Sequence, residues 1–378
     1  MYYGVVICAK VMALPESVRA AVVDEPGHIT IQEFDMPEVG TDGLLLEVEM
    51  TGVCGTDPKI YEHKRADVTL PVIPGHEMVG RVAKIGDDAR EMYHVDVDDR
   101  IVARPQIACG QCEECFTNGP IFCEHGRNYG ITVPSTEPPH LWGSYSEYMY
   151  IAPVSSVIKI SDSVTPEAAI LGPAVLGNSI RWTQEGADLF ANPIVIQGPG
   201  PQGLGAVIAA KEAGASPIII TGVNGDEARL EMAEQLGADL TINVSELDGP
   251  LENEVRDVLD GKLSPRVLDT TGHPAGMQNS LDVVGREGTV VMIGQGGAGV
   301  ETPVEFDSLI SRDVTIENFR SHRIPHARQA MRFIEETDYP LEDLVTHVFD
   351  LDDAEKAIKT VMGEEDVDEP PIKVVIEP

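Results

Sequence analysis

The sequence predicts an α/β protein in two parts, a β-rich part and then a strand–helix part built on a parallel sheet. Three observations carry this reading. From Val18 to about Tyr150, short apolar runs are separated by Gly, Pro and Asp. Near Pro166 the texture changes, and strand-like runs then alternate with helical ones. Within that second part, one apolar run leads straight into Gly198-x-Gly200-x-x-Gly203.

Taken in order, Leu44-Leu45-Leu46-Glu47-Val48, Val79-Gly80-Arg81-Val82 and Arg100-Ile101-Val102 read as strands of a twisted β unit. Glu167-Ala168-Ala169-Ile170-Leu171 reads as helix. Ile194-Val195-Ile196 and Ile218-Ile219-Ile220 are buried-strand runs, each followed by a helical segment. Val267-Leu268-Asp269 and Thr289-Val290-Val291-Met292-Ile293 continue the series, which argues a parallel sheet. After Ser321 the pattern is helical again, then ends on Ile372-Lys373-Val374-Val375-Ile376, a strand able to return to the first part. The implied domains are 1–172, 173–321, and a segment 322–378 that goes back to the first.

A chain of 378 residues with 42% hydrophobic content can build two cores. Its 63 Asp and Glu outnumber 27 Lys and Arg, for a formal net charge of −36. Such a field repels nucleic acid and anionic lipid, so neither is an expected partner. The acid is spread along the chain, with local peaks at Asp96, Asp98, Asp99 and from Glu364 to Glu369. That pattern reads as a solvated surface adapted to a salt-rich cytoplasm, where molar salt cuts the Debye length to about 3 Å. No run of about 18 apolar residues exists to span a membrane. Met1–Leu14 lack a basic leader and a clear cleavage site, so a cytoplasmic protein is expected. Met12 precedes a more ordinary start, and residues 1–11 read as a dispensable extension.

In its strand–helix setting the glycine fingerprint predicts a dinucleotide site. Gly198 permits the turn, Gly200 lets backbone approach a pyrophosphate, and Gly203 allows helix to pack on strand. The helix expected over Leu204 to Ala213 offers free N–H groups to the phosphates. About 20 residues on, an acid normally holds the ribose hydroxyls. Here the chain reads Thr221-Gly222-Val223-Asn224, with Gly222 in that place. Loss of the carboxylate removes repulsion against a 2′-phosphate and leans toward NADP over NAD. Arg229 is the nearby cation, while Asp226 or Glu227 could restore an acid from a longer loop.

Four cysteines, Cys109, Cys112, Cys115 and Cys123, lie at spacings of three, three and eight. Four thiolates at short spacing suit a closed tetrahedral zinc with Zn–S near ~2.3 Å, a structural site. A second constellation, Cys54 with His76-Glu77, offers a thiolate, an imidazole and a carboxylate, which suits a zinc that keeps a place for substrate. Cys8 lies outside every motif.

Cys54-Gly-Thr-Asp57, Gly75-His-Glu77, the cysteine lobe at about 104–126, Gly143-Ser-Tyr-Ser-Glu147-Tyr148 and the glycine fingerprint occur in one particular order. In that order they resemble the medium-chain zinc dehydrogenases, a family that includes alcohol, threonine, sorbitol and glucose dehydrogenases. The resemblance runs from Val18 to the C-terminus. It implies a GroES-like catalytic domain, a Rossmann domain and an active site in the cleft between them. It further implies that Cys54 and His76 bind zinc and that Glu77 is either a ligand or a neighbouring carboxylate. Thr56 would pass the substrate proton outward, and Asp57 would orient the imidazole.

One departure stands out: Gly172 occupies the place where many members supply a further Cys or Glu ligand. The implied reaction moves a hydride between an alcohol, polyol or sugar hydroxyl and NAD(P), through a zinc-bound alkoxide. Two zinc ions per chain and a homodimer or homotetramer are expected. The rival readings are a zinc-free quinone or enone reductase, opposed by Cys54, His76 and the cysteine lobe, and a non-catalytic dinucleotide-binding relative, favoured only by Gly172. Among the remaining histidines, His63 reads as a loop residue or the end of a proton relay. His322 and His326 read as structural or as reaching substrate or cofactor, and His347 as structural.

Overall fold

A computed structural model describes residues 13–187, 189–297 and 299–378 of the chain. Cys8 and the extension at 1–11 lie outside the described residues.

The strand–helix part forms a six-stranded parallel sheet. Its spatial order is Leu240–Asn243, Ile218–Gly222, Ile194–Gln197, Ser264–Asp269, Val284–Met292 and Thr315–Asn318. Chain order reverses between Ile194–Gln197 and Ser264–Asp269, the crevice in which doubly wound sheets take their ligand. Every residue of Ile194–Gln197 and of Ile218–Gly222 is buried. Burial on both faces explains why these strands are continuous apolar runs and not alternating ones.

The β-rich part is a mostly antiparallel sheet of seven strands around Leu44–Val53, which pairs with Met78–Ile85 on one side. On its other side it pairs with Tyr148–Ile151 and with Lys373–Glu377. The last of these strands arrives after the whole parallel sheet has been traversed. It also pairs, in parallel, with Val345–Asp350.

Between the sheets runs a helical passage that starts at Pro166–Ile170, capped by the Thr165 hydroxyl accepting from Ala168 N–H. It widens into single π-helical stretches at Gly172–Gly177 and Trp182–Ala187. The helix Ile324–Glu336 packs on this passage. A Cβ on Gly172 would overlap the Met331 sulfur of that helix, so any larger residue there displaces the methionine side chain. One core cluster joins Met50, Val79 and Val102 of the antiparallel sheet to Ile194, Ile196 and Leu268 of the parallel one. At roughly 1.5–3 kcal/mol per buried aliphatic side chain, this shared core holds the two sheets together.

A polar clasp crosses the same junction. Arg104, only 1% exposed, donates through Nε to His322 Nε2 (3.0 Å) and through Nη2 to the His322 carbonyl (2.7 Å). On its far side the imidazole meets Asn178 Oδ1 at 3.0 Å. Burial first, and then the Arg104 guanidinium, hold His322 well below the ordinary histidine pKa. His326 stands 3.3 Å from Glu185, which also binds Arg181. Both histidines are therefore built into the junction between the sheets.

Candidate active site

The fingerprint turn follows Ile194–Gln197. Gly198 adopts φ +92°, a left-handed conformation that strains any residue with a Cβ. A Cβ on Gly203 would overlap the Gly198 carbonyl oxygen, so this glycine sets the distance of helix from strand. At Gly200 the same addition meets no atom within 4 Å, which leaves open space in front of the backbone. The helix is Pro201–Glu212, beginning three residues ahead of the expected Leu204. Pro201 presets φ for its first turn, and Gly200 is an extended N-cap.

Beside the turn lies a cavity of about 390 Å³ whose wall includes Gly198, Thr221, Gly222, Asp226, Thr271 and His273. Gly222 thus lines the cavity, but Asn224 and Arg229 stand outside its wall. Asn224 accepts from Asn243 Nδ2 (3.0 Å) and donates its N–H to Ser245 Oγ (3.2 Å). Arg229 is held by Asp226 Oδ1 (2.8 Å) and by the Pro371 carbonyl. Of Asp226 and Glu227, Asp226 lines the cavity, and its other oxygen accepts from Val223 N–H at 3.0 Å. Buried Asp269 fixes the turn that brings Thr271 to the cavity wall, accepting from Thr271 N–H and Oγ1 and from Gly272 N–H.

Of the two metal constellations, the cysteine lobe has Sγ–Sγ separations of 3.5 Å for Cys112–Cys115 and Cys109–Cys123, 3.9 Å for Cys112–Cys123 and 4.0 Å for Cys109–Cys115. A tetrahedral ion with bonds of ~2.3 Å sets its ligands about 3.8 Å apart, so the four sulfurs fit zinc. The N–H groups of Gln111 and Cys112, aided by Cys123, pull the Cys109 thiol down to about 7, toward the thiolate a metal takes.

The second cluster brings Cys54, His76 and Glu77 together, with one donor atom of each within 4.8 Å of the others. Cys54 follows the strand Leu44–Val53, and His76-Glu77 precede Met78–Ile85, so the pairing of these strands makes the cluster. Asp57, fully buried, accepts from Cys54 N–H at 2.7 Å and sets its other oxygen 3.5 Å from His76 Nδ1. Although burial opposes charge on the imidazole, Asp57 and Cys54 hold the His76 pKa well above its usual value. Thr56 Oγ1 is 3.7 Å from Cys54 Sγ. Gly172 is turned to Met331 and is not among the clustered donors. His63 is exposed and directs Nε2 at the Val68 carbonyl (3.3 Å), as a loop residue does. His347 lies in the strand Val345–Asp350 and pairs with Thr346 Oγ1.

Three residues at this site escaped sequence reasoning. Lys373, 3% exposed, donates to Glu77 Oε2 and to the Val53 carbonyl (3.0 Å). Tyr145 has a buried hydroxyl with no hydrogen-bond partner among the described residues. Burial, with Asp57, Glu77 and Cys54 adding repulsion, raises its pKa well above the usual range. Lys59, in the helix Asp57–Tyr61, donates to the Gln295 carbonyl at 3.0 Å, just beyond the carboxyl end of Val284–Met292. The helix next to Cys54 therefore touches the edge of the parallel sheet that carries the fingerprint.

Two family models match this chain: residues 40–162 fit the alcohol dehydrogenase GroES-like domain, and residues 201–336 fit the zinc-binding dehydrogenase domain. A probable alcohol dehydrogenase of Mycobacterium tuberculosis is 33% identical over 368 residues, covering 96% of this chain and 98% of the relative. The chain belongs to the medium-chain zinc-dependent dehydrogenases. Among other members, an erythritol/L-threitol dehydrogenase of Mycolicibacterium smegmatis is 29% identical, over 94% of this chain and 97% of its own. The crystal structure of an alcohol dehydrogenase from Thermotoga maritima superposes with TM-score 0.86 at 26% identity, covering 96% of this chain and 99% of that one. As a family member with this architecture, the protein is an NAD(P)-dependent alcohol or polyol dehydrogenase.

Proposed function

We propose that the enzyme oxidises the hydroxyl of a small alcohol, polyol or sugar at the cluster of Cys54, His76 and Glu77. The observation that carries this is the meeting of that cluster, through Lys59 and Gln295, with the carboxyl edge of the fingerprint sheet. The donor set fits zinc: one thiolate, one imidazole with Nε2 free once Nδ1 faces Asp57, and one carboxylate. Zinc supplies positive charge against which a substrate hydroxyl gives up its proton, and NAD(P) takes the hydride. The remaining work falls to the protein. Asp57 fixes the tautomer and tilt of His76. Thr56, beside Cys54, receives the hydroxyl proton and hands it outward. Lys373 holds Glu77 against its strand.

NADP is the proposed cofactor over NAD because Gly222 leaves no carboxylate at the end of its strand, and the Asp226 carboxylate in the cavity wall is already taken by Arg229 and by Val223 N–H. Arg229 adds less than its position in the sequence promised, since Asp226 and Pro371 hold its donors. A homo-oligomer is supported by exposed Ile316 in the edge strand Thr315–Asn318 and by exposed Phe306 and Ile310 on the helix Phe306–Ser311 that precedes it. The acidic surface supports a salt-rich cytoplasm as the working environment.

The decisive experiment is a panel of primary alcohols, polyols, sugars and amino-acid alcohols with NAD and NADP, followed by nicotinamide absorbance, on protein of known metal content. Turnover with two zinc ions per chain supports the proposal. Metal-free protein with full turnover would sink it.

A further inference from the structure

The largest cavity described, about 870 Å³, lies at the amino-terminal edge of the parallel sheet. Pro193 and Pro217, which precede two of its strands, form part of the wall. The fingerprint is at the other end of those strands, one strand length of about 13 Å away. This cavity is therefore separate from the cofactor crevice.

Its charge opposes that of the molecule. The chain carries 63 acids against 27 bases, yet the wall holds Arg256, Lys262, Arg286 and Arg312 against Asp260 alone. Arg256 is balanced by Glu252 and ties down the loop through the Gly261 carbonyl. Arg312 spends its donors on the carbonyls of Leu281, Val284 and Ser308 and on the Ser308 hydroxyl, so no carboxylate offsets its charge. Among the described residues, Lys262 and Arg286 are exposed, and their side chains have no ion-pair or hydrogen-bond partner. A concave wall with four cations against one acid focuses a positive field into the cavity, within a strongly negative molecule. Between the cations the wall is apolar, with Val258, Leu259 and Leu263.

We infer that this cavity binds a phosphorylated small organic molecule. The volume falls in the ~300–1,000 Å³ range of small-molecule sites. The unpaired Arg286 guanidinium matches phosphate oxygens in pairs, Lys262 adds a second cation, and the apolar wall takes the carbon body between them.

Calorimetric titration of the zinc-loaded, NADP-saturated enzyme with fructose 1,6-bisphosphate tests the inference without competition from the fingerprint crevice. Saturable binding is expected at low salt, and it should weaken as salt rises. In the double variant Lys262→Glu, Arg286→Glu, affinity should fall roughly tenfold or more, while melting temperature and alcohol turnover stay as in the parent. Inorganic pyrophosphate should bind more weakly than the sugar bisphosphate. Equal affinity in parent and double variant overturns the site, as does the absence of binding by the parent. Pyrophosphate binding as tightly as the organic ligand overturns the role of the apolar wall. A double variant that changes only the sedimentation of the protein would assign the cavity to an acidic segment of a second copy, and the inference would fail.

Discussion

Lys373 and Glu77, 296 positions apart in sequence, form a buried ion pair beside Cys54 and His76. The strand that carries Lys373 hydrogen-bonds to Leu44–Val53, which delivers the ammonium to the Val53 carbonyl and the Glu77 carboxylate together. Removing one member leaves the other charged and dry, at a cost of about 3–5 kcal/mol. Lys373→Met should lower the melting temperature and weaken zinc retention about 10–100-fold. Competition with a zinc chelator checks it, and unchanged retention would remove Lys373 from the centre.

The two zinc constellations should separate on mutation. Cys54→Ser is expected to lose one zinc per chain and nearly all turnover while keeping most of its stability. Cys112→Ser should lose the other zinc and destabilise the lobe. Metal analysis beside thermal melts tells them apart, and full turnover by Cys54→Ser would refute the role of that sulfur.

Gly200 and Gly203 predict opposite outcomes for the same substitution. Gly200→Ala meets open space, so stability should hold while NADP affinity falls about tenfold as the methyl enters the phosphate path. Gly203→Ala drives a methyl into the Gly198 carbonyl and should cost about 1–3 kcal/mol as well as affinity. Melting curves with cofactor titrations distinguish the pair.

His322 fixes the sign of a pH effect. Burial and Arg104 lower its folded pKa, with His326 and Arg181 adding to the effect. Below about pH 6.5 the unfolded chain therefore takes up a proton that the folded chain refuses. Stability should be fully present above that pH and fall as pH drops, by up to ~1.4 kcal/mol per unit from this group. His322→Gln should flatten the curve of melting temperature between neutral pH and 5. An unchanged slope would discharge His322 from this role.

Salt should stabilise the fold, since the net charge of −36 sets acidic groups against one another. Melting temperature is expected to rise from 0.1 M toward molar KCl. A flat or falling curve would count against adaptation to a salt-rich interior.

Much of the architecture was legible because burial imprints a pattern on neighbouring residues. Ile194-Val195-Ile196 and Ile218-Ile219-Ile220 are unbroken apolar runs because both faces of their strands are covered, and the glycines of the fingerprint mark where backbone must turn or come close. The four cysteines announce by spacing alone that their sulfurs come together. What stayed hidden depends on contacts between distant segments. Nothing near Lys373 reveals that its ammonium meets Glu77, and nothing near Arg229 reveals that Pro371 has taken its donors. Gly172 shows the same limit from the other side. In sequence it is a missing ligand, but in the fold it is the space that Met331 needs.

The return of Lys373–Glu377 to the first sheet also sets an order of assembly. One face of the cofactor half, around Val195, Ile219 and Val290, packs on residues of that half alone and can close before the last strand is made. The chemical centre cannot, because its buried lysine is made after every strand of that half. A nascent chain paused before residue 373 would therefore hold a dinucleotide sheet closed on that face beside an unfinished hydroxyl-binding centre, able to grip a nucleotide but not to turn it over.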